Sequence, residues 1–125
     1  MSDFATNCPE GSCPPELATD VEGEVYRFVR GDPPIPEDMR TYADENKAAE
    51  DLCQRCALSV LVRPEDIPIA RKAMPWFKRR RVAVATLRAE HGKICRTGAH
   101  RWHHSLWVRA AHAPTIHESF QVVPS

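Results

Sequence analysis

The densest group of side chains able to act as acids, bases or metal ligands is His100-Arg101-Trp102-His103-His104-Ser105-Leu106-Trp107. Imidazole titrates near neutral pH and binds metals through either nitrogen. Neighbouring side chains of a strand face opposite sides, so His103 and His104 cannot serve one site, whereas His100 and His104 share a face. These two could ligate a metal or act on a phosphate beside Arg101. The alternative is one hydrogen-bonded core histidine with the others in solvent.

The cysteines offer a second kind of chemistry. The chain has five of them: Cys8, Cys13, Cys53, Cys56 and Cys95. Cys53 and Cys56 have the spacing of a zinc knuckle, and Cys8 and Cys13 could supply two further thiolates to one structural zinc ion. The alternatives are ordinary buried thiols or a thioredoxin-like redox pair. No secretory signal is visible at the N-terminus, so we expect a cytoplasmic protein without a disulfide framework.

Charge is divided unevenly along a chain whose net charge is zero. Residues 1–62 contain 13 acidic and 5 basic residues, whereas residues 63–125 contain 4 acidic and 12 basic residues, so the halves carry −8 and +8. All six histidines and all three tryptophans also lie in the second half. This pattern favours a face that meets an anion such as a nucleotide or nucleic acid. Alternatively, the two halves pack together and cancel, or the acidic half covers a basic site.

A short basic run is the most concentrated candidate for binding phosphate. Lys78 is followed by Arg79, Arg80 and Arg81, and Arg101 lies beside the histidines. These arginines are the candidate cofactor-binding residues. Cations after a helix also interact favourably with its negative end, so a solvated helix terminus is the competing interpretation.

The remaining sequence predicts the elements that would position these groups. Residues 1–20 predict an irregular arm rich in cysteine and proline, and residues 21–125 a single domain. Strands are expected at 25–29, 57–62, 82–87, 94–96, 102–108 and 120–123, and helices at 36–52 and 67–74. The polar residues 44–47 could break the first of these helices in two. The strand at 57–62 is apolar on both faces, which is typical of a central strand. Arg27 lies between two valines on one strand face and therefore needs a partner.

The order of these elements predicts an α+β fold. We expect one mixed or mostly antiparallel sheet of about five strands with two helices packed on one face, plus the irregular arm. No apolar run is long enough to cross a bilayer. The glycine motifs of dinucleotide-binding folds, P-loop proteins and α/β-hydrolases are absent from the sequence.

The layout of an early strand Val25-Tyr26-Arg27-Phe28, a strand Leu58-Ser59-Val60, a helix and the strand from Val82 to Leu87 resembles the core of ADP-ribosyltransferase-like proteins. The resemblance implies that Arg27 binds a phosphate and that Ser59 helps to hold a nicotinamide cofactor. The late catalytic glutamate of that family has no matching position here, since Glu118 is the only acid after residue 90. Fold likeness alone does not establish function.

Three expectations about function follow. The charge division and the lack of a complete catalytic set favour a non-enzymatic binding or accessory module that contacts a partner protein, nucleotide or nucleic acid. Such a module could also pair with a second copy of the chain as a homodimer. The alternative is a nucleotide- or RNA-directed enzyme in which Arg27 binds phosphate, Ser59 orients a ribose, and His100, His103 or His104 is the acid/base. That alternative requires Arg27 and one of these histidines to meet in one cleft. A third expectation is a zinc-stabilised interaction domain.

Overall fold

A computed structural model of the chain describes residue 4 and residues 13–45, 47 and 52–124. It contains seven strands in two antiparallel sheets, together with short helices, so the α+β class is confirmed. The strands, in chain order, are β1 Thr19–Asp20, β2 Gly23–Val29, β3 Leu58–Val60, β4 Arg81–Leu87, β5 Gly92–Arg96, β6 His104–Val108 and β7 Gln121–Val122. The helices are α1 Leu52–Arg55 and α2 Asp66–Ala73, with 3-10 segments at Pro36–Met39, Pro75–Arg79 and Ala113–Ser119.

The expected single sheet is instead divided into two. One sheet has the strand order β1-β5-β6-β3, and the other has the order β2-β4-β7. The expectation that β3 is central is wrong, because β3 lies at the edge of the first sheet. Its apolar side chains are nevertheless buried, since Leu58 and Val60 pack into the core between the sheets. β3 is therefore apolar because the second sheet covers its side chains, although β3 has only one hydrogen-bonded neighbour in its own sheet.

The two sheets meet at one isolated bridge within the described residues. The Tyr26 amide donates to the Leu61 carbonyl at 2.7 Å, and the Leu61 amide donates back to the Tyr26 carbonyl at 2.8 Å. This exchange joins β2 to the residue that follows β3. The end of β3 is therefore held beside the middle of β2, which brings Ser59 close to Arg27.

The helical segments also differ from expectation. The predicted helix over 36–52 is present as the 3-10 segment Pro36–Met39 and the short α1, with turns at 42–45; residues 46 and 48–51 lie outside the described part of the chain. The predicted helix at 67–74 is confirmed as α2. It ends before Pro75, as expected for a residue that cannot continue the backbone ladder.

The cysteines are not the free thiols expected from the sequence. Cys13 and Cys53 form a disulfide across 40 residues of sequence, and Cys56 is also disulfide-bonded, whereas Cys95 is free. Cys8 lies outside the described residues. Cys13 packs with Ala57 and Trp107 in a small apolar cluster, which brings the end of the predicted arm to α1. The arm's last residues also pair with β5 as strand β1.

Candidate functional site

A cleft of about 800 Å³ opens at the junction of the two sheets. Ser59 on β3 lines it together with Arg27 on β2 and His103, which immediately precedes β6. The condition set by the enzyme interpretation, a single cleft that contains Arg27 and one of the histidines, is therefore met. The volume lies within the range of small-molecule and cofactor sites.

Arg27 obtains its partners from the backbone. Its Nε donates to the Asp38 carbonyl at 2.8 Å, and its Nη1 donates to the Ser59 carbonyl at 2.7 Å. A longer contact of 3.5 Å joins Nη2 to the Arg40 carbonyl. Burial lowers the pKa of this guanidinium to about 10, so it remains positively charged at neutral pH. The arginine thus places a fixed cation at the cleft and holds the backbone of β3.

Asp38 stabilises the loop that reaches Arg27. Its carboxylate accepts hydrogen bonds from the backbone amides of Arg30 at 2.8 Å, Ile35 at 3.0 Å and Gly31 at 3.1 Å. Burial opposes ionisation of this group, but the three amide donors outweigh it and keep the pKa of Asp38 below its usual value. Ionised Asp38 therefore fixes the carbonyl that receives Arg27.

Ser59 and His103 form a hydrogen-bonded pair. The Ser59 side chain is exposed on β3, and its Oγ lies 2.9 Å from Nε2 of His103. The other ring nitrogen, Nδ1, lies 3.2 Å from the Thr97 carbonyl and 3.1 Å from the Thr97 hydroxyl. The Thr97 hydroxyl and the buried Ser105 hydroxyl are joined by a hydrogen bond of 2.7 Å. The ring is therefore held at both ends.

The Thr97 carbonyl is satisfied by one tautomer of His103. A carbonyl oxygen only accepts hydrogen bonds, so the 3.2 Å contact is a hydrogen bond in the tautomer that carries its proton on Nδ1. Nε2 of the neutral ring is then the acceptor, and Ser59 Oγ donates to it. A hydroxyl that donates to a base, with the base oriented by a third group, is the arrangement of an activated nucleophile or of a positioned general base.

The environment of His103 favours its neutral form. Burial lowers its pKa below the usual value, although the hydrogen bond to the Thr97 backbone acts in the opposite direction. The positive forms of His104, His100 and Arg96 lower the pKa further. The imidazole is therefore available as a base at neutral pH.

Aromatic rings form one wall of the cleft. Phe28 stacks on Phe77 with centroids 4.2 Å apart, and Trp102 meets Phe77 edge to face at 6.3 Å. Trp76 is 58% exposed and contacts the same Phe77 at 5.8 Å, and Tyr42 is also exposed in the cleft. Exposed rings beside cations are suited to stacking on a flat base.

Charge in the cleft is mixed with an excess of cations. Its positively charged lining residues are Arg27, Arg30, Arg40, Lys47 and Arg80, and its carboxylates are Glu37, Asp38 and Glu45. Asp38 is committed to backbone amides, and Glu45 lies 3.7 Å from Lys47. Among the described residues, the side chains of Arg30 and Arg80 have no carboxylate partner. These two cations are therefore available to an anionic ligand.

The other candidate histidines lie outside this arrangement. His100 stacks on Trp102 at 4.8 Å, and His104 lies 3.3 Å from the Trp102 carbonyl through its Nδ1. Neither lines the cleft. The structure thus joins Arg27, Ser59 and His103 but does not bring His100 or His104 to them.

The basic candidates separate in the same way. Arg80 lines the cleft, whereas Arg79, Arg81 and Arg101 do not. Arg81 lies 3.8 Å from Asp32 in an exposed ion pair, and Arg79 and Arg101 are exposed. The four consecutive cations therefore do not form one binding surface, since only Arg80 reaches the cleft.

The cysteine candidates have a different role from the one expected. Cys13 and Cys53 are bonded to each other, so a zinc site that uses them requires reduced thiolates. No group of three or more His, Cys, Asp or Glu side chains in the described part of the chain is arranged to hold a metal ion. The zinc interpretation stays a prediction about the reduced protein.

Several cleft residues were not identified from the sequence. Glu37, Tyr42 and Trp76 come from loops and 3-10 segments, where side-chain direction does not follow a simple period. The contact of Thr97 with His103 was also missed. A threonine that follows a short strand and precedes the turn at Gly98 has no distinctive signal of its own.

Comparison of the chain with protein-family models, curated proteins and solved structures finds no significant match. Helices long and apolar enough to span a lipid bilayer are absent from the described residues.

Proposed function

We propose that the cleft binds a nucleotide or a related phosphate ester and that His103 acts on it as a general acid/base. The observation that carries this proposal is the hydrogen bond of 2.9 Å between Ser59 Oγ and His103 Nε2 in a cleft lined by arginines. The binding-module interpretation does not require such a pair. The resemblance to ADP-ribosyltransferase-like proteins agrees in placing an arginine and a serine on two strands of one site.

The two parts of a nucleotide match the two kinds of wall. Arg30 and Arg80 offer guanidinium groups to a phosphate, and an arginine can bind two phosphate oxygens at once. Trp76 offers an exposed ring to a base, with a stacking contribution of about 1–3 kcal/mol. Glu37 provides a carboxylate that could accept from a ribose hydroxyl. Recognition would thus combine charge with stacking.

His103 would transfer a proton at Nε2. In the free protein this nitrogen accepts from Ser59; with substrate bound, a ribose or water hydroxyl could donate to it instead. The Thr97 carbonyl stabilises the ring when Nε2 becomes protonated, because Nδ1–H continues to donate to it. Arg27 acts as a positioning residue, since it holds the Ser59 carbonyl at 2.7 Å.

Binding is tested with AMP and NAD⁺ as probes and adenosine as the uncharged comparison. We expect both phosphate-bearing probes to bind, with heat measured by calorimetry and with quenching of tryptophan fluorescence, and adenosine to bind at least about tenfold more weakly. Trp76→Ala should weaken AMP binding by about tenfold, the effect of roughly 1.4 kcal/mol of stacking. Arg80→Ala should weaken AMP binding by more than Trp76→Ala does, and it should make the affinity less dependent on salt.

Arg79→Ala is the matched control, because Arg79 is the exposed neighbour of Arg80 and does not line the cleft. It should leave the affinity for AMP unchanged within about twofold, less than the about tenfold that 1.4 kcal/mol represents. Equal losses in the Arg79 and Arg80 variants would show general electrostatic attraction and would contradict a defined site.

Turnover distinguishes the enzyme from the binding module. The full chain is incubated with NAD⁺ or with a short RNA, and products are followed by liquid chromatography. His103→Gln should reduce any turnover by about 10²–10⁴-fold with little change in affinity. Tight binding without turnover of either probe would instead favour the non-enzymatic module.

A further inference from the structure

We propose that Ser59 is a nucleophile that forms a covalent adduct with phosphorus, with His103 as its base. This step goes beyond the orientation of a ribose that the family resemblance implies. It rests on the proposed function only for the identity of the substrate, because the geometry of the pair exists without a nucleotide.

Three features of the free protein support this role. Ser59 Oγ is exposed to the cleft and lies 2.9 Å from His103 Nε2, within the reach expected of a nucleophile and its base. The Thr97 carbonyl fixes the opposite ring nitrogen at 3.2 Å, as the third member of a catalytic triad does. Arg27 holds the Ser59 carbonyl, so the backbone that carries the hydroxyl is fixed as well.

The lining of the cleft favours phosphorus over a neutral carbonyl as the electrophile. Arg27, Arg30 and Arg80 line the same cleft as Ser59, and phosphoryl transfer develops negative charge on the non-bridging oxygens. An ester of phosphoric acid therefore matches both the nucleophile and its surroundings.

The reaction balances without a further reactant except water. Ser59 Oγ forms a bond to phosphorus while its proton passes to His103 Nε2. The bond from phosphorus to the leaving oxygen breaks, and that oxygen takes its electron pair and the proton from His103. In the second half, His103 removes a proton from water, the water oxygen bonds to phosphorus, and Ser59 recovers its proton as the serine–phosphorus ester breaks.

The test uses a fluorophosphonate, which transfers a phosphonyl group to activated serines and releases fluoride. The full chain is incubated with the reagent, and the adduct is measured by intact mass and located by peptide mapping. We expect one phosphonyl group per chain, on Ser59. The rate should fall as the pH falls through the pKa of His103, because protonated Nε2 cannot accept the serine proton.

Matched variants separate activation from simple exposure. Ser59→Ala should abolish the adduct, and His103→Gln should slow labelling by about 10²-fold or more. His117→Gln, which alters a histidine that neither lines the cleft nor affects the pKa of His103, should label within about twofold of the unchanged protein, far from the loss expected of a missing base. Circular dichroism of each variant establishes that it is folded, and Ser59→Cys gives a second measurement, since its thiol should alkylate faster with His103 present than with glutamine there.

The outcomes are distinct from those of the nucleotide experiments. An adduct on another residue, no adduct while trypsin is labelled in the same solution, or equal rates with and without His103 would overturn the nucleophile. Labelling of Ser59 in a protein that binds neither AMP nor NAD⁺ would support the nucleophile and contradict the nucleotide. Binding of AMP without labelling of Ser59 would support the nucleotide site and contradict the nucleophile.

Discussion

Removal of the Cys13–Cys53 disulfide should destabilise the fold measurably. The bond closes a loop across 40 residues, and the chain-entropy relation gives about 4 kcal/mol at 25 °C for a loop of that length. The Cys56 disulfide persists in the variant Cys13→Ala/Cys53→Ala and continues to constrain the unfolded chain, so this value is an upper bound. We expect a loss of about 2–4 kcal/mol.

Thermal unfolding followed by circular dichroism measures this loss. At this chain length about 1 kcal/mol corresponds to about 4 °C, so the midpoint should fall by about 8–16 °C. Cys95→Ala is the matched control, because this half-buried cysteine is free, and it should shift the midpoint by much less. A shift in the double variant no larger than that of the control would refute the reasoning, since it would show that the disulfide does not constrain the unfolded chain.

Three further predictions follow from single residues. Asp38→Asn should lower the free energy of unfolding in urea by about 1–3 kcal/mol at pH 7, because an amide cannot accept from all three backbone donors. In the unchanged protein, folding lowers the pKa of Asp38. The stability that its carboxylate contributes should therefore be complete above the unfolded pKa of 3.8 and be lost as the pH falls through the folded pKa. Proton NMR should show His103 titrating below 6.5, and a value above 6.5 would contradict its burial. Gly92→Ala should cost about 1–3 kcal/mol, because a Cβ there would collide with the Trp107 backbone across the β5–β6 ladder, and a neutral result would contradict the close approach.

Local patterns predicted several elements well. β2 was expected from its β-branched and aromatic residues, β4 from its short apolar run, and α2 from its apolar spacing and the proline that follows it. The face of Arg27 was also predicted, since it lies between the buried Val25 and Val29. Its partners could not be predicted, because backbone carbonyls carry no sequence signal.

Non-local pairing accounts for most of the differences. The apolar character of β3 indicates burial but does not say whether a ladder neighbour or a second sheet covers it. Disulfides were not expected for a cytoplasmic protein, but their formation depends on the distance between cysteines in the fold, which sequence spacing does not give. His103 could not be selected over His100 and His104 until the position of Ser59 was known.

Strands of the two sheets are interleaved along the chain, so the two sheets, and the site between them, should unfold together. Arg27 belongs to one sheet and Ser59 to the other, and β3 comes between β2 and β4 in sequence. No single cut of the chain separates one complete sheet from the other, so neither sheet can be excised as an autonomous fragment that keeps part of the site. Denaturant curves that monitor ligand binding and backbone structure should therefore coincide, as one cooperative transition.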